Sequence, residues 1–503
     1  MSAKSLSSTI VQNVLAAKVY DVIKETPLTR ATKLSLEYKT NVYLKREDML
    51  QVHSFKIRGA YNCIAQLSIE EKAKGIIAAS AGNHAQGVAL SAQKLGLSAL
   101  IIMPVTTPSI KIDAVKHYGA IVELAGDSYS EAADYCKKRV SETGRVYIHP
   151  FDNPLVIAGQ GTVGREIIEQ LADTTHIFVP VGGGGLISGI AAYVKSVRPD
   201  IKIVSVEPED SNAMQLSVKH HKRIVMQHVG IFADGVAVKQ VGDNTFQYAL
   251  KYVDDYITVS TDQICSAIKD VFEDTRSILE PAGALAVAGI KTYKLPKDAH
   301  VVGICSGANV TFERLQQIAE RTLIGSGKEA MFAIKIPERP GALRRFCEEV
   351  VKGHSISEFN YRLNSRDGAH ILVGIMIRGE SDKRKFVQKM IEYKYEHEDL
   401  SNNDVTKSHV RHMIGGTSHN AKHEHIYEVN FPERPGALAH FLQTIGNECN
   451  ISLFHYKDMA SDISSVLIGF EVEDKKYLEQ KLTKSNFIFH SVDKNKGVGL
   501  FLR

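Results

Sequence analysis

The first 320 residues alternate between two hydrophobic periods. Ala99-Leu-Ile-Ile-Met103, His176-Ile-Phe-Val179, Ile201-Lys-Ile-Val-Ser-Val206 and His300-Val-Val-Gly-Ile304 are short apolar runs rich in β-branched residues, bounded by Pro, Gly or a charge. Such runs predict strands. Between them, residues 130–140 and 162–171 repeat their apolar positions with the helical period. Strands alternating with helices predict an α/β architecture with a parallel sheet. Strands without a polar face predict helices on both sides of it.

Beyond about residue 325 the pattern changes and a repeat appears. Pro337-Glu-Arg-Pro-Gly-Ala-Leu343 recurs in full as Pro432-Glu-Arg-Pro-Gly-Ala-Leu438. The same offset carries Phe346 onto Phe441, Ile356 onto Ile451, Phe359 onto Phe454 and Tyr361 onto Tyr456. Each copy predicts strand, Pro-Gly turn, helix, strand, strand, helix, a small α+β unit present twice. In the first copy the strands are expected over residues 331–336, 355–362 and 369–377, with helices over 342–351 and 382–391. Residues 401–423, rich in Ser, Asn, Lys and His, read as a connection. The expected division is a domain over 1–325, with a smaller lobe over roughly 50–150, then modules over 330–402 and 424–503.

Composition narrows the function. The 503 residues fit about three domains. Lys plus Arg number 61 against 57 Asp plus Glu, a net charge of +4. That is too little over this length for a nucleic-acid or anionic-membrane binder. No apolar run approaches the roughly 20 residues that span a bilayer, and the first residues lack a signal-peptide pattern. The six cysteines are scattered, with no CxxC pair, so a reducing, cytoplasmic setting is expected and a disulfide framework is not.

Three short segments carry candidate chemistry. Ser54-Phe-Lys56-Ile-Arg-Gly, taken alone, is a lysine at a helix start. Ser80-Ala-Gly-Asn83-His84 is a polar turn before a helix. Val181-Gly-Gly-Gly-Gly185-Leu-Ile-Ser-Gly189 directly follows a buried strand. Consecutive glycines leave backbone amides bare, and at a strand-to-helix junction these amides and the helix N-terminus form an anion site. A dinucleotide fingerprint needs glycines at i, i+2 and i+5, and that pattern fails from every start in this loop; no Lys followed by Ser or Thr completes a Walker loop. A monophosphate on a small cofactor is the simpler occupant.

The order Ser-Phe-Lys, Ser-Ala-Gly-Asn-His, tetraglycine, Glu280-Pro-Ala-Gly, Ser306-Gly-Ala-Asn309 resembles the β-family, or fold type II, of pyridoxal-phosphate enzymes. With the duplicated C-terminal unit, the chain is similar to the biosynthetic threonine dehydratase family over essentially its whole length. The resemblance implies pyridoxal 5'-phosphate as cofactor and L-threonine as substrate of an α,β-elimination giving 2-oxobutanoate and ammonia, with a side activity on L-serine. It implies that Lys56 holds the cofactor covalently and that Phe55 packs on its ring. Asn83 hydrogen-bonds the phenolic oxygen, Gly182, Gly183, Gly184, Gly185 and Leu186 cradle the phosphate, and Ser306 faces the pyridine nitrogen. Ser80, Gly82 and His84 match the substrate-carboxylate site, and Glu280 orients the substrate hydroxyl or the lysine. A neutral hydroxyl at Ser306 makes the cofactor a weaker electron sink than a carboxylate would, which favours prompt loss of a β-leaving group.

Two departures are informative. Serine racemases carry a second serine at the position of Ala81, and alanine cannot accept a proton, so racemisation is disfavoured. Relatives that bind a divalent cation use the glutamate matched by Glu207 and a further acid where Ala213 stands, so no metal is expected; Glu207-Pro-Glu-Asp210 taken alone reads as a solvated loop. The repeat resembles ACT-like modules that bind free amino acids. This implies isoleucine as feedback inhibitor and valine as opposing effector, near Gly341, Phe346 and Tyr361 or near Gly436, Phe441 and Tyr456, and a homotetramer. The Leu and Phe positions of the repeat also fit plain helix packing. His220-His-Lys-Arg223 reads as a solvated basic turn and His423-Glu-His425 as a strand entry. Rival readings are a catabolic serine/threonine deaminase, a threonine synthase, and a ligand sensor that retains only the fold.

Overall fold

Two sheets of buried parallel strands organise the first of two compact units, Met1–Leu315 and Gln316–Arg503. The structure is a computed structural model and describes residues 3–337, 342–360, 369–412, 422–432, 437–445, 449–456 and 463–502. The larger sheet runs Leu28–Arg30, Asn41–Arg46, His300–Cys305, His176–Pro180, Lys202–Pro208, Asp255–Val259, in that spatial order. Only its first pair is antiparallel. Period-two alternation divides the strands between two helical layers. Ile177, Val179, Val302 and Ile304 pack with residues of the helices Pro154–Gln170 and Gly185–Val197. On the other face helix Pro281–Thr292 lies against Gly303, where a Cβ would come within 3.0 Å of Ile290.

The smaller sheet is wholly parallel, in the order Ile121–Leu124, Ala99–Met103, Ile76–Ala79, Val146–Tyr147. Ile76, Ala78, Ile101 and Met103 pack with residues of the helices Lys56–Ala65 and Asn83–Leu95. Ile77, Ala79, Leu100 and Ile102 face Ala132 and Cys136 of helix Tyr129–Thr143. The two central strands, Ile76–Ala79 and Ala99–Met103, are apolar and buried at every position because both their faces are covered, as in parallel sheets generally.

Helix Lys56–Ala65 is held at close range. It crosses helix Pro154–Gln170 where two glycines meet: a Cβ on Gly59 would lie 2.7 Å from the Val156 carbonyl oxygen, and one on Gly159 would lie 2.6 Å from that of Arg58. Around this crossing four fully buried charges are paired. Arg58 donates to Glu47 at 2.7 Å through Nε and to Glu166 at 2.5 Å through Nη1; Lys45 reaches Glu166 at 2.6 Å. Burial alone would raise the Glu166 carboxyl, but Arg58 and Lys45 outweigh it and hold the group well below the ordinary range.

The C-terminal unit contains two four-stranded antiparallel sheets of identical strand order: Ile356–Asn360, Ala369–Met376, Glu329–Ile336, His397–Asp399, and Asn450–Tyr456, Ile463–Glu471, Glu424–Pro432, Ile488–Ser491. The repeat extends to backbone detail. The register shifts between Ile356 and Glu358 in one sheet and between Ile451 and Leu453 in the other. Opposite each shift stands a glycine, Gly374 or Gly469, whose Cβ would collide with Ser357 Oγ at 2.5 Å or Ser452 Oγ at 2.6 Å. Each sheet has its own helix-covered core, with Phe332, Phe346 and Phe386 in one and Phe431, Phe441 and Phe470 in the other. The opposite faces, through Met331, Ala333 and Leu372 and through Ile426 and Leu467, join one shared core.

Two expectations change here. Each module has a fourth strand that the hydrophobic pattern missed. Residues 401–423 are more than a connection: helix Asp404–Ser408, capped by the Asn403 side chain on Thr406 N at 2.9 Å, and Val410 bring Val405 and Val410 into the shared core. Among the described residues no helix is long and apolar enough to cross a membrane, and five of the six cysteines, all but Cys347, are buried.

Removing one partner of a buried charge cluster strands the others, at about 3–5 kcal/mol. Arg58→Met is therefore expected to lower the unfolding free energy of the cofactor-free protein by that order, read as a lower urea midpoint, and an unchanged midpoint would show the cluster to be energetically silent. Because Glu166 is held below its unfolded value of about 4.3, its contribution is present above that pH and drains away as the pH falls below it.

Candidate active site

The C-terminal ends of neighbouring strands build the cleft. Strand His176–Pro180 runs into the tetraglycine loop, and strand His300–Cys305, its parallel neighbour, runs into Ser306. Open parallel sheets place their ligand sites at this edge. The lysine helix is tied to the same place. Ser54 bridges to Gly307, and Phe55 N donates to Ser306 O at 3.1 Å. Helix Asn83–Leu95 crosses close to Lys56, where a Cβ on Gly87 would lie 3.1 Å from the Lys56 backbone.

One cleft is lined by Phe55, Lys56, Asn83, the four glycines, Leu186, Glu280 and Ser306. Asn83 Nδ2 donates to Glu280 Oε1 at 2.6 Å, its Oδ1 accepts from Asn309 Nδ2 at 2.6 Å, and Asn309 N donates to Glu280 Oε2 at 3.1 Å. Burial, with the nearby Asp234 charge, pushes the Glu280 carboxyl up to about 7, although Asn83, Lys111 and Asn309 pull it back. Burial brings the Lys56 amine down to about 8, opposed by the charge of Glu280. Both groups therefore titrate near neutrality, as a proton-transferring site requires.

The glycines are a steric necessity. A Cβ on Gly183 would lie 2.3 Å from the Phe151 ring, and one on Gly184, whose φ is +93°, would lie 2.6 Å from Met214. Backbone thus forms that wall of the cleft. Gln160, which lines the cleft, leaves its buried Oε1 without a partner, as Ser54 does its Oγ. A cradle of backbone amides and a lysine with a lowered pKa fit a small phosphorylated aldehyde.

Other sequence candidates sit differently. Ser80 and Gly82 form the turn before Asn83, with Gly82 N on Ser80 Oγ at 3.2 Å. The His84 side chain turns into the core: its Nε2 pairs with Ile148 O at 2.9 Å, and burial holds its pKa down to about 3. A carbonyl only accepts, so Nε2 carries the proton. Glu207 corrects the solvated-loop reading. It is fully buried at the end of a central strand, where it accepts from Met214 N at 2.9 Å and Gln215 N at 2.8 Å. Burial lifts it to about 8 against those two bonds. Glu209 and Asp210 are exposed. The expected effector residues Gly341, Tyr361 and Gly436, and the Tyr456 side chain, lie outside the described residues. Phe346 and Phe441 are fully buried among Tyr395 and among Phe431 and Phe487, the core role that their helical spacing predicts.

The sequence reading missed Pro150, Phe151, Gln160 and Val236 in the cleft wall. The one available signal was His149-Pro-Phe-Asp-Asn-Pro154, two prolines around Asp-Asn, a turn and helix start.

The fold and cleft define a pyridoxal-phosphate-dependent enzyme. The family profile described as pyridoxal-phosphate dependent enzyme matches residues 19–307, and that of the C-terminal regulatory domain of threonine dehydratase matches residues 320–410 and 415–502. The chain is 46% identical over 501 residues to the biosynthetic L-threonine dehydratase of Burkholderia multivorans, covering 98% of this chain and 99% of that protein. It is 50% identical over 472 residues to the chloroplastic biosynthetic threonine dehydratase 1 of Solanum lycopersicum, covering 93% and 78%. Among solved structures it resembles the processed threonine deaminase isoform 2 of Solanum lycopersicum, with 46% identity and a TM-score of 0.62 over 64% of this chain and 89% of that one. Maize serine racemase follows at 33% identity and a TM-score of 0.58, over 63% and 97%. The chain belongs to the biosynthetic threonine dehydratase family.

The amine of Lys56 must be uncharged to capture an aldehyde. Covalent uptake of pyridoxal phosphate by the cofactor-free protein is therefore expected to accelerate as pH rises and to level off above about pH 8. A rate still climbing toward the ordinary lysine value near 10.4 would contradict the desolvated amine.

Proposed function

We infer that the protein converts L-threonine to 2-oxobutanoate and ammonia, the committed step of isoleucine biosynthesis, with a lesser activity on L-serine. The observation that carries this reading is the meeting of Lys56, Asn83, Glu280, Ser306 and the glycine loop in one cleft. Pyridoxal phosphate, when bound, supplies the sink for negative charge at the substrate Cα. Lys56 would hold its aldehyde covalently, and the amides of Gly182 to Leu186 would hold its phosphate. Asn83 has one amide N–H on Glu280 and a second for the phenolic oxygen. Ser306 would offer the ring nitrogen an uncharged hydroxyl.

Lys56, once free, would take the Cα proton at Nζ, for which a pKa near 8 suits it. The Cβ–O bond then breaks and the hydroxyl leaves as water. Glu280, protonated below about pH 7, is the acid of the cleft and orients that hydroxyl. The turn from Ser80 to His84, at the start of a helix, receives the substrate carboxylate through backbone amides. Hydrolysis of the released enamine, through its imine tautomer, takes up one water and gives 2-oxobutanoate and ammonia. Alanine at position 81 offers no base on the opposite face, which supports elimination over racemisation.

The catalytic domain is assigned to residues 1–325, with its small lobe over roughly 50–150, and the regulatory modules to 330–402 and 424–503. The match to a regulatory domain supports isoleucine as inhibitor and valine as the opposing effector, acting through a coupling free energy between separate sites. A homotetramer and a cytoplasmic location complete the reading; the scattered cysteines, with no CxxC pair, support the latter.

2-Oxobutanoate formation from L-threonine, followed during an L-isoleucine titration, tests both halves. Turnover that falls saturably with isoleucine is expected, as is its loss by at least a factor of a thousand in Lys56→Ala. Turnover in that variant at the normal rate would overturn the lysine's role, and indifference to isoleucine would overturn the regulatory one.

A further inference from the structure

The segment from His149 to Asn153 touches both the lysine and the glycine loop of the cofactor site. The Pro150 carbonyl accepts from Lys56 Nζ at 3.1 Å. The Phe151 ring lies where a Cβ on Gly183 would be. The Asp152 carboxylate caps helix Asp243–Tyr252, accepting from Asp243 N and Asn244 N at 2.9 Å each and from Thr245 N at 3.3 Å. Thr245 in turn donates to Gly183 O at 2.7 Å. Asn153 caps helix Pro154–Gln170 through Leu155 N at 2.8 Å. Lysine, glycine loop and two helices are thus read by four consecutive residues.

One side chain shapes this turn. His149 Nδ1 accepts from Phe151 N at 3.2 Å and from Asp152 N at 2.8 Å. Two backbone N–H groups aimed at one ring nitrogen require it to be bare, so the proton sits on Nε2. The arrangement copies an Asx turn, in which an Asn or Asp oxygen accepts the amides two and three residues on. The ring is clamped edge-to-face against Phe151 at 4.7 Å and Tyr147 at 5.8 Å. Burial and the charge of Lys56 keep the imidazole neutral, against the pull of Asp152.

We propose that His149 is a positioning residue for the cofactor site: through its bare Nδ1 it fixes the turn Pro150 to Asp152, and through that turn it sets the Lys56 amine and the glycine loop in register. The inference rests on Lys56 as the cofactor lysine. It differs from a plain packing role in what it demands of a substitute. An acceptor at the Nδ1 position is needed, and an apolar ring or chain of similar bulk does not serve.

The experiment titrates pyridoxal phosphate into cofactor-free full-length protein and follows its absorbance, alongside the thermal midpoint without cofactor and kcat and KM for threonine. His149→Leu is expected to weaken cofactor binding about tenfold or more, as two buried amides lose their acceptor, and to lower kcat more than it changes KM. Its cofactor-free midpoint stays within a few degrees of the parent. His149→Asn, which restores an acceptor in Asx geometry, is expected to bind within about threefold of the parent. A Leu variant that binds like the parent would overturn the proposal, and so would an Asn variant as weak as the Leu one. Should His149→Leu fail to fold, ring 15N shifts of the unaltered protein decide instead: a proton found on Nδ1 of His149 overturns the proposal, and one on Nε2 sustains it. Failure of the parent itself to capture the cofactor at Lys56 would count against the reading of the lysine, and it is seen before any variant is compared.

Discussion

Four charges buried at one helix crossing are the constraint on which the catalytic unit depends. Arg58 sits two residues beyond Lys56 and is bonded on both sides, to Glu47 and to Glu166, with Lys45 completing the set. Desolvating four ions is costly, and only complete pairing offsets it. Any shift of the lysine helix along Pro154–Gln170 would unpair at least one of them. The glycines at that crossing remove the remaining slack, because the backbones touch without intervening side chains. The role proposed for Lys56 needs its amine placed to a fraction of an ångström, and its helix start is fixed from below by charge and from the side by contact.

The cleft above this foundation is largely backbone. The glycine loop offers amides, Pro150 a carbonyl and Asn309 an amide, while ionisable side chains are few: Lys56 and Glu280. That economy explains the pKa pattern. With little water and few countercharges, burial lowers the amine and raises the carboxyl until both lie near neutrality. Two histidines on neighbouring backbone, His84 and His149, have their tautomers set by main-chain partners and add no positive charge beside the lysine.

The C-terminal unit applies a different rule. Its inner strands are antiparallel yet buried on both faces, one face under the module's own helices and the other in a core common to both sheets. Residues from the segment between the modules enter that common core. The two modules are therefore halves of one packed body, a form suited to passing a local change in one sheet to the other, since packed cores rearrange as units.

Much of this was legible in the chain. Buried parallel strands announce themselves as unbroken apolar runs, and the residues that follow them, glycines after Pro180 and Ser306 after Cys305, mark the functional edge. The repeat was visible as identity at constant spacing. Lys56, Asn83, Glu280 and Ser306 stood in local signals of strand ends and helix starts, and the fold brings them into one cleft. Other features needed the third dimension. His397–Asp399 has no hydrophobic period and becomes a strand only because the edge of Glu329–Ile336 is open to it. Glu207 carries no mark of burial, and its neighbours decide its state. The His84 ring turns away from the cleft because a carbonyl waits in the core, and the turn at His149 matters because distant elements converge on it. Local signals follow from periodicity and turn chemistry, which a chain carries in itself. Desolvation, pairing and the approach of two backbones are properties of contacts between remote segments, and these exist only once the chain has folded.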